Sequence, residues 1–169
     1  VSAGGILVID SDQGSIEIES WDKNTVEISI KKSARNQERL DAFKVDINQS
    51  GETITILGEG EWRSRVDVEF TAKVPKKFNL DFKTGGGSIQ VADMQANVKV
   101  DTSGGSISIG NVDGGNVNAD TSGGSIKVGN VSGDLKVDTS GGSIRLGKVG
   151  GKSKIDTSGG SIKLEQGGN

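Results

Sequence analysis

The segment DTSGGSI occurs four times, starting at Asp101, Asp120, Asp138 and Asp156, and successive copies begin 18 or 19 residues apart. A fixed period of this length is typical of repeat proteins, in which a unit buries its apolar side only by stacking on its neighbours. From Ser88 the chain therefore divides into consecutive units of about 18 residues.

Apolar and polar residues alternate within each unit. In SIKVGNVSGDLKVDTSGG, Ile126 and Val128 point to one side, and Ser125 and Lys127 point to the other. Alternation with a period of two indicates half-buried β-strands, whereas an amphipathic helix needs apolar residues three to four positions apart. Each unit is predicted to hold two short strands joined by glycine-rich turns.

Stacking these units predicts an all-β fold, a parallel β-solenoid (β-helix) with about 18 residues per coil. Equivalent apolar residues would then form internal ladders. The two predicted ladders are Ile107, Ile126, Ile144 and Ile162, and Val100, Ala119, Val137 and Ile155. The main rival is a β-sandwich of antiparallel hairpins, which does not require identical residues at identical positions. The solenoid is therefore the preferred interpretation.

The composition favours a thin core and tight corners. Hydrophobic residues make up 31% of the chain and aromatic residues 4%, while glycine occurs 27 times and proline once. The paired glycines of each TSGG segment are predicted to be structural turn residues with positive φ, next to Ser and Thr hydroxyls that bond the backbone. These glycines are Gly104, Gly105, Gly123, Gly124, Gly141, Gly142, Gly159 and Gly160.

A single β-solenoid domain is predicted over residues 1–169, with coils stacked from the first residues to the last. Residues 88–169 form the regular repeats, and residues 1–87 carry the same alternation less regularly. Helix-favouring residues at 33–43 predict a short helical or loop insertion that covers one end of the stack, and 57–65 read as an exposed loop. Pro75 is expected at a corner, because it cannot donate a hydrogen bond within a sheet.

Charge and missing residue types exclude several functions. The net charge of −3 and the pI near 5.1 argue against nucleic-acid binding. The chain has no Cys and no His, so it lacks disulfides, thiol chemistry and the commonest general base and metal ligand. No apolar run is long enough to span a membrane. The opening VSAGGILVID starts within a pattern, and we expect that a signal peptide has been removed.

One repeated column is acidic. Asp101, Asp120, Asp138 and Asp156 should stack above one another, where like charges repel. They could form a cation ladder with oxygen ligands for Ca²⁺, or each could accept hydrogen bonds from the following Thr and Ser amides in an Asx-turn. The turn is the preferred interpretation, so these residues are only weak metal candidates and no cofactor is predicted.

Two further columns are basic. Lys127, Arg145 and Lys163 share one outward column, and Lys99, Lys136 and Lys154 share another. Such rows could bind an anionic polysaccharide, or they could be solvated charges that protect strand edges. Lys127, Arg145 and Lys163, together with Trp62 as a sugar-stacking or end-packing residue, are the candidate ligand-binding residues.

Two other interpretations carry less weight. The column Thr102, Thr121, Thr139 and Thr157 could suit ice binding, although its residues stand singly beside a corner. Asp22, Glu61, Arg63 and Arg65 could form a catalytic cluster of the kind found in polysaccharide-active β-helices. Neither pattern is specific, so no catalytic residue is predicted.

Three segments carry a family resemblance: GSIEIESWDKNTVEISI, VDVEFTAKVPKKFNLDFKT and the repeated DTSGGSI. In this order they resemble a bacterial family of β-strand-repeat proteins of unknown function that are described as adhesins. The family is similar to the head domain of autotransporter adhesins. The resemblance implies a β-helical fold and an envelope or extracellular setting, and it supplies no catalytic residues.

We therefore expect a non-enzymatic structural or adhesion module in the periplasm, on the cell surface or secreted. Its expected partner is a glycan or another envelope protein, and end-to-end or edge-mediated self-association is also expected. A β-helix polysaccharide-active enzyme and an envelope-stress or protein-interaction scaffold are the alternatives.

Overall fold

The fold is all-β, with two sheets built largely from parallel strands. The computed structural model describes residues 4–61 and 65–165. Its elements, in chain order, are β1 (Ile6–Ser11), β2 (Ser15–Trp21), β3 (Glu27–Ser33), α1 (Gln37–Ala42), β4 (Lys44–Ser50), β5 (Thr53–Glu59), β6 (Asp67–Pro75), β7 (Asn79–Thr84), β8 (Ile89–Val91), β9 (Val98–Thr102), β10 (Ile107–Ile109), β11 (Val117–Thr121), β12 (Ile126–Val128), β13 (Leu135–Thr139), β14 (Ile144–Leu146), β15 (Ser153–Thr157) and β16 (Ile162–Leu164). This confirms the predicted all-β class.

Among the described residues, each sheet contains eight strands. We call sheet A the sheet with the order β15-β13-β11-β9-β7-β1-β5-β4, and sheet B the sheet with the order β16-β14-β12-β10-β8-β2-β6-β3. All pairings within the two sheets are parallel except those of β3 with β6 and of β4 with β5. The chain passes from sheet A to sheet B and back, as in a β-solenoid, so the hairpin sandwich is wrong.

The predicted ladders are present in the regular half. Ile126 pairs with Ile107 and Ile144, and Ile144 pairs in turn with Ile162. On sheet A the second ladder runs through Val100, Ala119, Val137 and Ile155. The inner residues of β9 to β14 are buried, because each coil covers the apolar side of the coil before it.

A third, very short side joins the two sheets. Met94, Val112, Val131 and Val149 form successive parallel bridges outside the strands, and the first three are buried. Each regular coil therefore has a five-residue strand, a three-residue strand and a one-residue bridge. The predicted two-strand coil lacks this third side, because a single apolar residue between glycine-rich turns shows no alternation.

The first half stacks out of sequence order. The coil formed by β1 and β2 lies between the coil of β5 and β6 and the coil of β7 and β8. The coils of this half therefore do not follow one another in chain order, although their strands belong to the same two sheets as the regular repeats. The core of this half also differs in composition, since it buries all four phenylalanines, Phe43, Phe70, Phe78 and Phe82.

The predicted irregular segments differ from the structure in part. The insertion contains α1, which begins at the N-cap Asn36, whose side chain accepts a hydrogen bond from the Arg39 amide at 3.0 Å. The predicted loop at 57–65 begins too early, because β5 continues to Glu59 and Leu57 pairs with Asp10. Pro75 is the last residue of β6, as a corner position requires.

Candidate functional site

The acidic column lies on the outer face of sheet A. Asp101, Asp120, Asp138 and Asp156 pair in register on adjacent strands, and Lys83 occupies the next position beyond Asp101. The predicted Asx-turn is wrong. The Ser amide after each DT pair instead bonds the Thr carbonyl of the preceding coil, as in Ser122 N to Thr102 O at 3.3 Å. The carboxylates are left facing solvent.

The acidic column places one carboxylate on each strand in the part of the chain that the structure describes. No group of three acidic residues is placed to hold an ion there. Neighbouring strands are about 4.8 Å apart and each contributes one carboxylate, so the column lacks the six to eight oxygen ligands that Ca²⁺ takes. The pKa of Asp120 is raised, first by burial of its carboxyl and then by the negative charges of Asp101 and Asp138. The positive charge of Lys136 partly offsets this rise.

The threonine column faces inward. Thr102, Thr121 and Thr139 are buried, and each hydroxyl donates to the carbonyl of a glycine in the preceding coil, as Thr121 does to Gly105 at 2.8 Å. The same oxygen accepts the amide of the second glycine of its own corner, Gly124, at 3.4 Å. The ice-binding interpretation of this column is therefore wrong, because the hydroxyls of its buried threonines bond the backbone of the corners inside the stack and are not presented to solvent.

The two glycines of each corner have different roles. None of the eight predicted turn glycines has a positive φ, so the predicted reason for them is wrong. A Cβ on the second glycine would overlap backbone of the preceding coil, as Gly124 would overlap the Gly105 carbonyl. A Cβ on the first glycine has more room, since the nearest atom to one on Gly123 is 3.7 Å away.

Two amide ladders at the other corners were not predicted. Asn97 Oδ1 accepts the Asn116 amide at 2.9 Å, and Asn116 Oδ1 accepts the Asp134 amide at 2.8 Å. A second ladder joins Asn111 to the Asn130 amide at 2.8 Å and continues to Lys148. Asn or Asp recurs at these positions every 18 or 19 residues, and this recurrence is the sequence signal from which the ladders could have been predicted. Its role is structural, because each side chain bonds the backbone of the next coil.

The first basic column lies on the outer face of sheet B. Lys127, Arg145 and Lys163 are consecutive in register on β12, β14 and β16, and their side chains point away from the core. Within the described residues, the ion pairs are Lys73 with Glu19 and Lys76 with Asp22, so these three cations lie in none of them. The structure therefore brings the three predicted residues together, and among the described residues no carboxylate lies within 4.0 Å of them.

A row of serines runs beside this column. Ser106 Oγ accepts the Ser125 amide at 3.3 Å, and Ser125 Oγ accepts the Ser143 amide at 3.3 Å. Because these hydroxyl oxygens accept from the next coil, the O–H groups of Ser106 and Ser125 remain donors toward solvent. The outer face of sheet B therefore presents cations and hydroxyl donors side by side.

The second basic column is of a different kind. On sheet A, Asn118 interrupts it between Lys99 and Lys136, and Lys154 follows. This basic column lies on the same face of sheet A as the acidic column, two residues away along each strand. A lysine such as Lys136 is therefore the diagonal neighbour of an aspartate on the next strand, here Asp120. A groove of about 390 Å³ lies along it. Charge is therefore mixed along this column of sheet A, whereas the sheet B column on β12, β14 and β16 holds only cations.

The remaining candidates do not assemble into a site. Trp62 and Arg63 lie outside the described residues. Asp22 follows the end of β2 and bonds Lys76 at 3.2 Å, whereas Arg65 precedes the start of the parallel strand β6. The seven residues of β2 separate these two ends by about 20 Å, so the suggested catalytic cluster is wrong for this pair.

Trp21 is the tryptophan that the structure describes. It is half-buried at the end of β2, and its indole N–H donates to the Thr25 carbonyl at 2.8 Å. Lys23 Nζ lies 4.6 Å from the ring centroid, within cation–π range. The ring is therefore already occupied by contacts within the chain.

Comparisons with known proteins give distant matches. A putative cell adhesion protein from Clostridium sporogenes is 10% identical with a TM-score of 0.41, and the match covers 98% of this chain and 94% of that protein. A putative adhesin from Bacteroides fragilis is 12% identical with a TM-score of 0.40, covering 97% and 93%. No curated protein matches.

Two further findings concern the whole chain. Among the described residues, α1 and the rest of the fold supply no helix with the length and hydropathy of a membrane span. The family model described as Toastrack DUF4097 matches residues 6–168, nearly the entire sequence. On that match, this chain belongs to the Toastrack DUF4097 family.

Proposed function

We propose that this chain is a non-enzymatic binding module of the cell envelope or cell surface, and that the outer face of sheet B contacts an anionic glycan. The observation that carries the proposal is the unneutralised column of Lys127, Arg145 and Lys163. The column is a local feature, since the whole chain has a net charge of −3.

The spacing of the cations supports a polymeric ligand. With about 18 residues per coil, one cation recurs at each strand, about 4.8 Å from the next. Like charges so close repel one another, and a bound polyanion would remove that repulsion. A rigid sheet holds the row without ordering a loop, so the backbone loses little conformational entropy on binding.

The chemistry of the side chains favours carboxylates. The Arg145 guanidinium can bind a carboxylate through two parallel hydrogen bonds, and the flanking lysines add point charges. The Ser106 and Ser125 hydroxyls can donate to ring or hydroxyl oxygens. A polysaccharide with a carboxylate on its sugars presents both kinds of acceptor, and envelopes and extracellular matrices are where a module of this kind would meet one.

A binding assay with polygalacturonate and neutral dextran tests the proposal. We expect the protein to bind polygalacturonate and not dextran, and the affinity to fall as salt screens the charges. Arg145→Glu should raise the Kd at least about tenfold, because it removes one cation and introduces repulsion. The matched variant Lys136→Glu, on the mixed face of sheet A, should change the Kd less than about threefold.

Several results would contradict the proposal. An equal loss of affinity in both variants would show that binding follows total charge and not the sheet B column. If the wild-type protein did not bind polygalacturonate, an anionic glycan would no longer be the proposed ligand. If an acidic protein bound at the same column, that protein would be the ligand in its place. Release of unsaturated or shortened uronate products would contradict the non-enzymatic role.

A further inference from the structure

The two ends of the described stack differ. At one end the antiparallel strands β3 and β4 flank α1. Lys32 lies on the core-facing side of β3, where it remains exposed, and donates to the carbonyls of Leu40 and Phe43 at 3.2 and 2.8 Å. An inward-pointing charge and a covering helix are known means of protecting a strand edge. This end carries features of a cap.

The other end exposes the core. Within residues 4–61 and 65–165, strands β15 and β16 each have a partner on one side only. Ile162 and Leu164 continue the inner ladder of sheet B, yet they are 48% and 46% exposed. Val149 and Ile155 are only partly buried. An apolar surface beside two free strand edges is a template for another chain.

The sequence of β15 is complementary to itself when it runs antiparallel. In Ser-Lys-Ile-Asp-Thr, Lys154 and Asp156 point outward on either side of Ile155, which points inward. A twofold axis through Ile155 would place Lys154 opposite Asp156 of the partner subunit, and Asp156 opposite Lys154 of the partner subunit. Opposite charges directly across an antiparallel pair stabilise that pairing.

We propose that the β15–β16 end is the interface of a twofold symmetric dimer, in which β15 pairs antiparallel with β15 of a second copy. Sheet A then continues from one copy into the other through the two Lys154–Asp156 contacts. The same rotation places β16 over the side of the other copy that carries Val149, so that Ile162 and Leu164 cover a half-buried apolar surface. The contact is isologous and therefore closed.

A head-to-tail contact is the competing arrangement. Lys44 and Asp46 of β4 also present opposite charges, and Ile47 beside them is 55% exposed. Pairing β15 with β4 of another copy would extend into an open filament, and it would meet the protected end that carries Lys32 and α1. The twofold arrangement uses only the unprotected end.

Charge reversal distinguishes the two arrangements in solution. Sedimentation velocity on the whole chain should show a concentration-dependent dimer. Lys154→Asp should raise its dissociation constant about tenfold or more, because both contacts become repulsive. The double variant Lys154→Asp with Asp156→Lys should restore it to within about threefold. The matched control Lys44→Asp, on the edge of β4, should leave the dimer unchanged.

A single cysteine gives an independent test, because the chain has no native Cys. Opposed residues of an antiparallel pair have Cα atoms about 4.5–5.5 Å apart, within the range of a disulfide. Oxidised Ile155→Cys should form a covalent dimer, whereas Ile47→Cys should not. The proposal would be overturned if the protein stayed monomeric at every concentration, if it formed open-ended polymers, or if the double variant failed to restore the dimer. It would also be overturned if a further coil buried Ile155 in a longer form of the protein.

Discussion

The corner TSGG shows that two identical residues can have different physical roles. The second glycine of the pair lies so close to the preceding coil that a Cβ would overlap its backbone, while the first glycine has free space beside it. Neither needs a positive φ. The sequence reveals that a corner recurs, but the distance between coils decides which glycine is required, and that distance is visible only in the folded chain.

Alanine substitution should separate the two glycines. Gly124→Ala should lower the free energy of unfolding by about 3 kcal/mol, because its Cβ would meet the Gly105 carbonyl and force the coils apart. Gly123→Ala should change it by no more than about 1 kcal/mol, and in the stabilising direction, since the unfolded chain loses freedom. Urea unfolding of the two variants measures both values, and similar losses would contradict the assigned roles.

At the scale of the element, stacking in register aligns the equivalent residues of successive coils into a column. An aspartate that would be unremarkable on one strand becomes part of a row of like charges on sheet A, flanked by Lys83 at one end. The repeat was sufficient to predict that these residues align. It could not predict that the following Ser amides are used by the preceding coil, which leaves the carboxylates without those donors.

Asp120 makes the stability of the protein depend on pH. Burial and the neighbouring Asp101 and Asp138 raise its pKa above the ordinary value of 3.8, so the folded state binds the proton more readily than the unfolded state. The stability that this proton contributes is present below pH 3.8 and is lost as the pH rises through the raised pKa of the folded state.

Asp120→Asn tests this linkage, because it keeps the shape and removes the charge. The variant should be more stable than the wild type at about pH 7 and no more stable at about pH 3, where the carboxyl is protonated in both states. The control Asp113→Asn lies in a turn outside the column and should show no such difference. Urea midpoints at the two pH values give the comparison, and a gain that persists at low pH would rule out the charge as its cause.

The regular and irregular halves differ in how far sequence could predict them. From Ser88 onward, identical residues recur at identical positions, so the pairing of Ile126 with Ile107 and Ile144 follows from the spacing. In the first half the order β5-β1-β7 does not follow chain order. It depends on the fit of particular side chains, such as the Phe78 ring against Gly5, and no repeat encodes that fit.

At the scale of the molecule, each regular coil contacts only the coils next to it. Residues 125–142 form one complete coil, and its neighbours present the same inner residues and the same corner bonds. Stability in such a stack is roughly a sum of units and their interfaces. A deletion should therefore be tolerated when each remaining strand stays in its own sheet, A or B. We call this alternation of the strands between the two sheets the phase of the repeat, and we expect it to matter more than the number of residues removed.

Two deletions test whether phase is the governing quantity. Removing residues 125–142 should leave a folded protein, because Ser143 and Ile144 would take the places of Ser125 and Ile126 beside the coil of β10. Its thermal midpoint should fall by only a few degrees. Removing residues 125–133 deletes half as many residues but should do more damage. Every later strand of sheet B would be carried to a position in sheet A, so Ile144 and Ile162 could no longer continue the ladder that starts at Ile107. Circular dichroism with limited proteolysis measures both outcomes, and greater stability of the shorter deletion would mean that the coils are not held by matched columns.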